Sequence, residues 1–211
     1  MIRAIIFDLD SCLCASNEAG DHLFAPAFDA IRRANGGTHS EEDLRSAFAD
    51  CLRCAFDFVA EKHRFTDAMR EAGAKHFVEV EVVSPMFGYG DLDVLGQLPV
   101  LRFLVTSGYR RFQESKVSAL GIRDLFEAVF VDAINEPGRK GKEGFFGEIL
   151  SSRRLLKDEV LVVGDNPDSE IAAGNRLGIR TVQILRPGVT RTDAAQFHIR
   201  GLAELKPLLM L

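Results

Sequence analysis

Beyond residue 100, short β-rich runs alternate with helical stretches, and few folds accept that alternation. The runs cover residues 101–105, 128–131, 160–163 and 180–184, and the helical stretches between them cover 111–120, 144–151 and 169–177. Strands joined through helices run parallel, because each crossover returns the chain to the same end of the sheet. A parallel sheet is covered on both faces, so its strands read as continuous apolar runs, as Val160-Leu-Val-Val163 does. Ala4-Ile-Ile-Phe7 has the same character and is predicted to be a further strand of that sheet. The expected fold class is α/β, with a Rossmann-like parallel sheet.

Between the first run and the others the periodicity is helical. Residues 25–33, 40–59, 67–76 and 78–83 carry apolar side chains at helical spacing. The last of these, Phe77-Val-Glu-Val-Glu-Val-Val83, also alternates, leaving helix and strand both open. Asn35-Gly36-Gly37 reads as a helix stop, and Ser40-Glu41-Glu42-Asp43 as a cap followed by acidic first-turn residues. Gly73 is expected to end another helix, and Ser84-Pro85, Gly88 and Gly90 supply breakers at the far end. The expected organisation is an α/β core from residues 1–13 and 88–211, interrupted by a small all-helical domain at 14–87.

A chain of 211 residues suits one core domain with a modest insertion. A net charge of −5 gives no electrostatic footprint for nucleic acid or an anionic membrane. No apolar run approaches the roughly 20 residues that span a bilayer, and the first residues enter a strand pattern without a signal-peptide layout. A cytoplasmic monomer or homodimer without nucleic-acid or membrane partners is expected. Of the four cysteines, Cys51 and Cys54 have C-x-x-C spacing but sit on an apolar stripe with Leu44, Phe48, Leu52, Ala55 and Phe58. Such a pair is read as packing ahead of a zinc or redox site.

Chemistry gathers at the strand ends. The first run passes into Asp8-Leu-Asp10, and in an open α/β sheet ligands sit in the crevice at the carboxyl ends of strands. Side chains two apart share a face if the strand continues, and two close carboxylates call for a cation between them. Asp8 and Asp10 are thus a candidate metal and phosphate site, with an acidic turn as the alternative. Residues 101–105 end in Thr106-Ser107-Gly108, a phosphate cradle or a helix cap. The run at 128–131 is followed by Arg139-Lys140-Gly141-Lys142, where a lysine can neutralise phosphate. Val160-Leu-Val-Val-Gly164-Asp165 ends in an acid, followed by Asn166, Asp168 and Glu170, oxygen donors of the kind Mg²⁺ takes.

Taken in this order, the four strand ends resemble the motifs of the haloacid dehalogenase (HAD) superfamily. Its Asp-x-Asp-x-Thr/Val motif is similar to Asp8-Leu-Asp10-Ser-Cys12, and its strand-ending Thr or Ser to Thr106. Its lysine lines up best with Lys140, ahead of Lys142, and its Gly-Asp-x-x-x-x-Asp with Gly164-Asp165 through Glu170. The helical insertion stands where this family places its cap. The resemblance implies Asp8 as nucleophile and Asp10 as general acid and base. It further implies Mg²⁺ held by Asp8, the Asp10 main-chain carbonyl and Asp165, with Asn166 and Glu170 beside the metal. Thr106, Ser107 and Lys140 would bind the phosphoryl oxygens. Three positions depart from the pattern: Ser11 where Gly is frequent, Cys12 where Thr or Val is usual, and Glu170 where Asp is usual. The implied function is a Mg²⁺-dependent phosphatase acting on a small phosphorylated metabolite through an aspartyl-phosphate. Asp10 argues against a dehalogenase, whose chemistry does not need it. A phosphomutase of the β-phosphoglucomutase type and a non-catalytic HAD-like scaffold remain as alternatives.

Overall fold

The computed structural model describes residues 1–211. Strands β1 (Ala4–Phe7), β2 (Leu101–Gly108), β3 (Ala128–Ala133), β4 (Val160–Gly164), β5 (Arg180–Ile184) and β6 (Phe197–Ile199) form one sheet ordered β3-β2-β1-β4-β5-β6. Every pairing is parallel. The five expected strands are present, and β6 adds an edge strand of three residues, too short for a period to betray it. After β1 the chain builds α1 (Ala25–Ala34), α2 (Glu41–Cys51), α3 (Phe56–Lys62) and α4 (Asp67–Phe77). Helices α5 (Asp93–Gln97), α6 (Arg110–Ala119), α7 (Gly141–Arg153), α8 (Ala172–Leu177) and α9 (Leu205–Leu208) accompany the sheet. No helix is long and apolar enough to cross a membrane.

Side chains alternating along β1 enter two cores. Ala4 and Ile6 join Phe103, Val105, Val162 and Phe146 of α7, while Ile5 and Phe7 join Leu104, Val163, Leu95 of α5 and Val117 of α6. Both faces of the sheet are therefore covered, which accounts for the continuous apolar runs. Fully burying each Ile or Phe of β1 contributes about 1.5–3 kcal/mol.

Helices α1 to α4 and the turn at Phe24 pack around a third core that includes Ile31, Leu44, Phe48, Phe56, Val59 and Met69 and reaches Tyr109 at the start of α6. Ser40 caps α2 as expected: its hydroxyl accepts the Asp43 N–H at 3.1 Å, and the Asp43 carboxylate accepts the Ser40 N–H at 3.0 Å. Three local expectations change. The helical stretch at 40–59 is two helices, broken at residues 52–55 without a Gly or Pro. Residues 78–83 form neither helix nor strand: Val80 and Val82 are buried and Glu79, Glu81 and Val83 exposed. The alternation is real, but the Val82 N–H donates to the Ser115 hydroxyl at 2.9 Å rather than to a neighbouring strand.

Gly73 does not end a helix. It lies inside α4 and is buried, where a Cβ would run into the Phe56 ring and come within 3.0 Å of Ile31 Cδ1. Glycine is there for close helix approach. Gly73→Ala gains helix propensity, but overpacking costs about 1–3 kcal/mol, so the net expectation is a lower Tm. A scanning calorimetry trace with unchanged or raised Tm would refute this.

Candidate active site

Strand register builds the site. Phe7 lies beside Leu104 of β2 and Val163 of β4, so Asp8 emerges level with Val105 and Gly164, next to Thr106 and Asp165. The chain places β2 and β3 on one side of β1 and β4 to β6 on the other, which opens a crevice at the carboxyl ends next to β1. A cavity of about 720 Å³ occupies it, lined by Asp8, Asp10, Thr106, Ser107, Lys142 and Asp165 among others.

Asp8 and Asp10 face one cavity, although strand alternation is not the reason. β1 stops at Phe7, and the N–H groups of Cys12, Leu13 and Cys14 all donate to the Leu9 carbonyl, folding Asp10 back in a tight turn. Ser11 takes φ +55° in this turn, a left-handed conformation that costs a non-glycine residue roughly 1–2 kcal/mol and explains why glycine suits the position. Cys12 is fully buried with its Sγ 3.7 Å from the Val163 carbonyl. Burial pushes its thiol well above the usual range, reinforced by the Asp8 carboxylate, so Cys12 is a packing group.

Asp8, Asp165 and Glu170 each bring an oxygen within 4.8 Å of the others. Glu170 is buried; its Oε1 accepts the Asn166 N–H at 2.6 Å, and only the missing Cβ of Gly164 leaves room for its carboxylate. Asn166 itself caps the following turn by accepting the Asp168 N–H at 2.9 Å. Burial pushes the Asp8 carboxyl up to about 7, with Lys142 opposing and Glu170 adding to the rise. Burial likewise lifts Asp165 to about 8, helped by the Glu170 and Asp8 charges.

The lysine of this cluster is Lys142, which corrects the expectation of Lys140. Lys142 Nζ lies 2.7 Å from both Asp8 Oδ1 and Glu170 Oε2. Burial alone would lower its pKa, but these two carboxylates outweigh it and hold the ammonium above its ordinary range. Lys140 pairs with Glu148 at 2.8 Å and is more than half exposed. The cause of the offset is Asp132, buried at the end of β3. Its carboxylate accepts the Gly141 N–H at 3.1 Å and holds Arg139 at 2.7 Å. Gly141 then turns at φ +64°, so α7 begins there and presents residue 142 to the sheet.

Thr106 and Ser107 line the cavity at the end of β2. Neither caps α6, whose N-cap is Tyr109 without a side-chain bond, which removes the capping alternative. Two residues escaped sequence reading: Gln113 and Lys116 of α6 both contact the Asp10 carboxylate. The signal was available, since Tyr109, Phe112, Val117 and Leu120 mark an apolar stripe on which positions 113 and 116 carry Gln and Lys.

The opposite wall comes from the helical segment: Cys51, Arg53, Cys54, Phe56 and Phe58. Phe58, although on the apolar stripe with Leu44 and Phe48, is over half exposed. Lys62 and His63 pair with Asp50, at 2.7 Å each. Burial raises the Cys51 thiol to about 12, in keeping with a packing role. Arg139 bridges Asp132 of the core to Asp57 of α3.

A family model described as haloacid dehalogenase-like hydrolase matches residues 5–184. Glyceraldehyde 3-phosphate phosphatase from Methanopyrus kandleri is 28% identical over 206 residues, covering 88% of this chain and 85% of that protein. A HAD phosphatase from Thermococcus onnurineus superposes with a TM-score of 0.65 at 22% identity, covering 99% of this chain and 98% of the other. The L-2-haloacid dehalogenase of Xanthobacter autotrophicus does so at 0.60 and 15%, covering 100% and 99%. Both reactions thus occur on this fold, and the fold alone does not choose between them. The match over most of its length places the chain in the haloacid dehalogenase-like hydrolase family, as a phosphatase-like member.

Proposed function

We propose that the protein is a Mg²⁺-dependent phosphomonoesterase that acts on a small phosphate ester through an aspartyl-phosphate on Asp8. The observation that carries this is the convergence of Asp8, Asp165 and Glu170 around Lys142, with Asp10 on the same cavity. Three carboxyl groups around one ammonium form an all-oxygen donor set that, when ionised, carries two negative charges in excess and suits a hard divalent cation. Asp8, Asp165 and the Asp10 main-chain carbonyl would hold Mg²⁺, with Asn166 and Glu170 beside it. When bound, Mg²⁺ lowers the repulsion between an anionic nucleophile and an anionic phosphate.

In the first step an Asp8 carboxylate oxygen attacks phosphorus, the bond from phosphorus to the ester oxygen breaks, and Asp10 gives that oxygen a proton. In the second, Asp10 takes a proton from water as it attacks phosphorus, releasing inorganic phosphate and regenerating Asp8. Thr106, the Ser107 N–H and Lys142, in place of Lys140, would bind the phosphoryl oxygens as charge shifts onto them. The helical segment at 14–87 would serve as a cap that excludes bulk water and contacts the leaving group. The phosphatase from Methanopyrus kandleri makes triose phosphates the first substrates to try. The Asp10 carboxylate, which carbon–halogen cleavage does not require, favours phosphate over haloacid substrates.

The test joins turnover to stability. Mg²⁺ should support hydrolysis within a panel of triose, sugar, glycolate and nucleoside phosphates, and chelation should abolish it. Asp8 and Asp165 are raised from 3.8 to about 7 and about 8 in the metal-free fold. The folded state therefore binds more protons than the unfolded chain between those values, and stability from these groups falls as pH rises through that window. Mg²⁺ offsets the charge that appears, so its increment in Tm should be larger at pH 8 than at pH 5. Metal-independent hydrolysis, or an increment equal at both pH values, would overturn the reading.

A further inference from the structure

Asp10 is gripped by one face of α6. Lys116 Nζ lies 2.7 Å from Asp10 Oδ1 and 2.5 Å from Oδ2, and Gln113 Nε2 donates to Oδ2 at 3.2 Å. Lys116 is 1% exposed, its ammonium lies 4.4 Å from the centre of the Phe112 ring, and Asp10 is its one carboxylate partner. Burying an ammonium is costly, and an apolar side chain of similar volume would fill the same space without that cost. Packing therefore does not explain a lysine here.

Gln113 supports the same conclusion. Its Nε2 donates both to Asp10 and to the Ser107 carbonyl, at 3.0 Å for the latter. Two acceptors at one end fix the amide orientation, because the reverse would set its oxygen against both. Its Oε1 is left buried without a partner. That arrangement sacrifices one hydrogen bond to aim the amide at Asp10. Gly108 makes the approach possible, since a Cβ there would stand 2.6 Å from Gln113 Nε2.

We propose that Lys116 and Gln113 are positioning residues that lock the Asp10 carboxylate at the cavity wall for proton transfer to the leaving oxygen. The proposal rests on the phosphatase reading above. Without the clamp Asp10 is free to leave the transfer geometry, and the penalty falls on esters whose leaving group needs a proton.

Two esters of similar shape read this out: phenyl phosphate, whose leaving oxygen needs protonation, and 2,4-dinitrophenyl phosphate, whose does not. The ratio kcat/KM reports the steps up to phosphoenzyme formation. In Lys116→Met, kcat/KM should fall about 100-fold for phenyl phosphate, the scale of general acid catalysis, and only a few-fold for the dinitrophenyl ester. Lys116→Arg should recover part of the loss. Gln113→Leu should show a smaller loss with the same leaving-group dependence, and keeps the test decisive if Lys116→Met fails to fold. Equal losses on both esters, or no loss in either variant, would overturn the proposal. Absence of Mg²⁺-dependent turnover in the wild type, or full activity of Asp8→Asn, would instead overturn the phosphatase reading, and the two failures are thus told apart.

Discussion

Asp8→Asn is expected to reduce turnover about 10⁴-fold or more, the scale seen when a covalent nucleophile is deleted. Asparagine keeps the shape of the side chain and its carbonyl still accepts from Lys142, so the cluster stands while the attacking anion is lost. Lys142 retains Glu170 as a charged partner. The substitution also removes one of three crowded carboxylates, so the Mg²⁺ increment in Tm should shrink at pH 8, where Asp8 would have been ionised, and change little at pH 5. Loss of turnover with a folded, well-melting protein identifies the nucleophile and excludes a scaffold. Retained turnover, within tenfold of wild type, would move the nucleophile elsewhere and leave the geometry around Lys142 without its proposed role.

What the chain revealed before its structure was governed by how local each cause is. Val160-Leu-Val-Val163 needs only its own composition to be a doubly covered strand, and Asp8 and Asp165 follow such strands directly. Glu170 was legible for the same reason, being held by Asn166 four residues before it. The choice between Lys140 and Lys142 was less local. It depends on where α7 begins, which Asp132 decides from another strand by taking the Gly141 N–H. Lys116 and Gln113 answer to Asp10, about a hundred residues away in sequence, and only their misfit on an apolar stripe hinted at them. Gly73 misled because a glycine at a helix crossing and a glycine at a helix end look alike until Phe56 and Ile31 are in place. Residues 78–83 misled in the opposite way: alternation reported the buried face correctly, but no strand was there to pair with it.

Lys142→Met and Lys140→Met should part company sharply, although the two lysines are two residues apart. Methionine at 142 leaves the Asp8 and Glu170 carboxylates, both buried, without their one cation. Removing one partner of such a pair costs about 3–5 kcal/mol. Asp8, already raised by burial and now without the opposing ammonium, relieves the strain by holding its proton, so the folded state then binds still more protons than the unfolded chain, and stability falls as pH rises. The Tm deficit of Lys142→Met should therefore be deepest at pH 8 and shallower at pH 5, and added Mg²⁺ should restore part of it. Activity should fall about 10²–10³-fold, as when one donor to a developing oxyanion is removed. Lys140→Met breaks an exposed contact to Glu148 and the loose approach of the ammonium to the Phe145 ring, 5.9 Å from its centre, interactions that contribute little at exposed sites, and should match the wild type in melting and turnover. A stable, active Lys142→Met beside an inactive Lys140→Met would return the phosphate-site role to Lys140 and require α7 to start two residues earlier than Asp132 and Gly141 dictate.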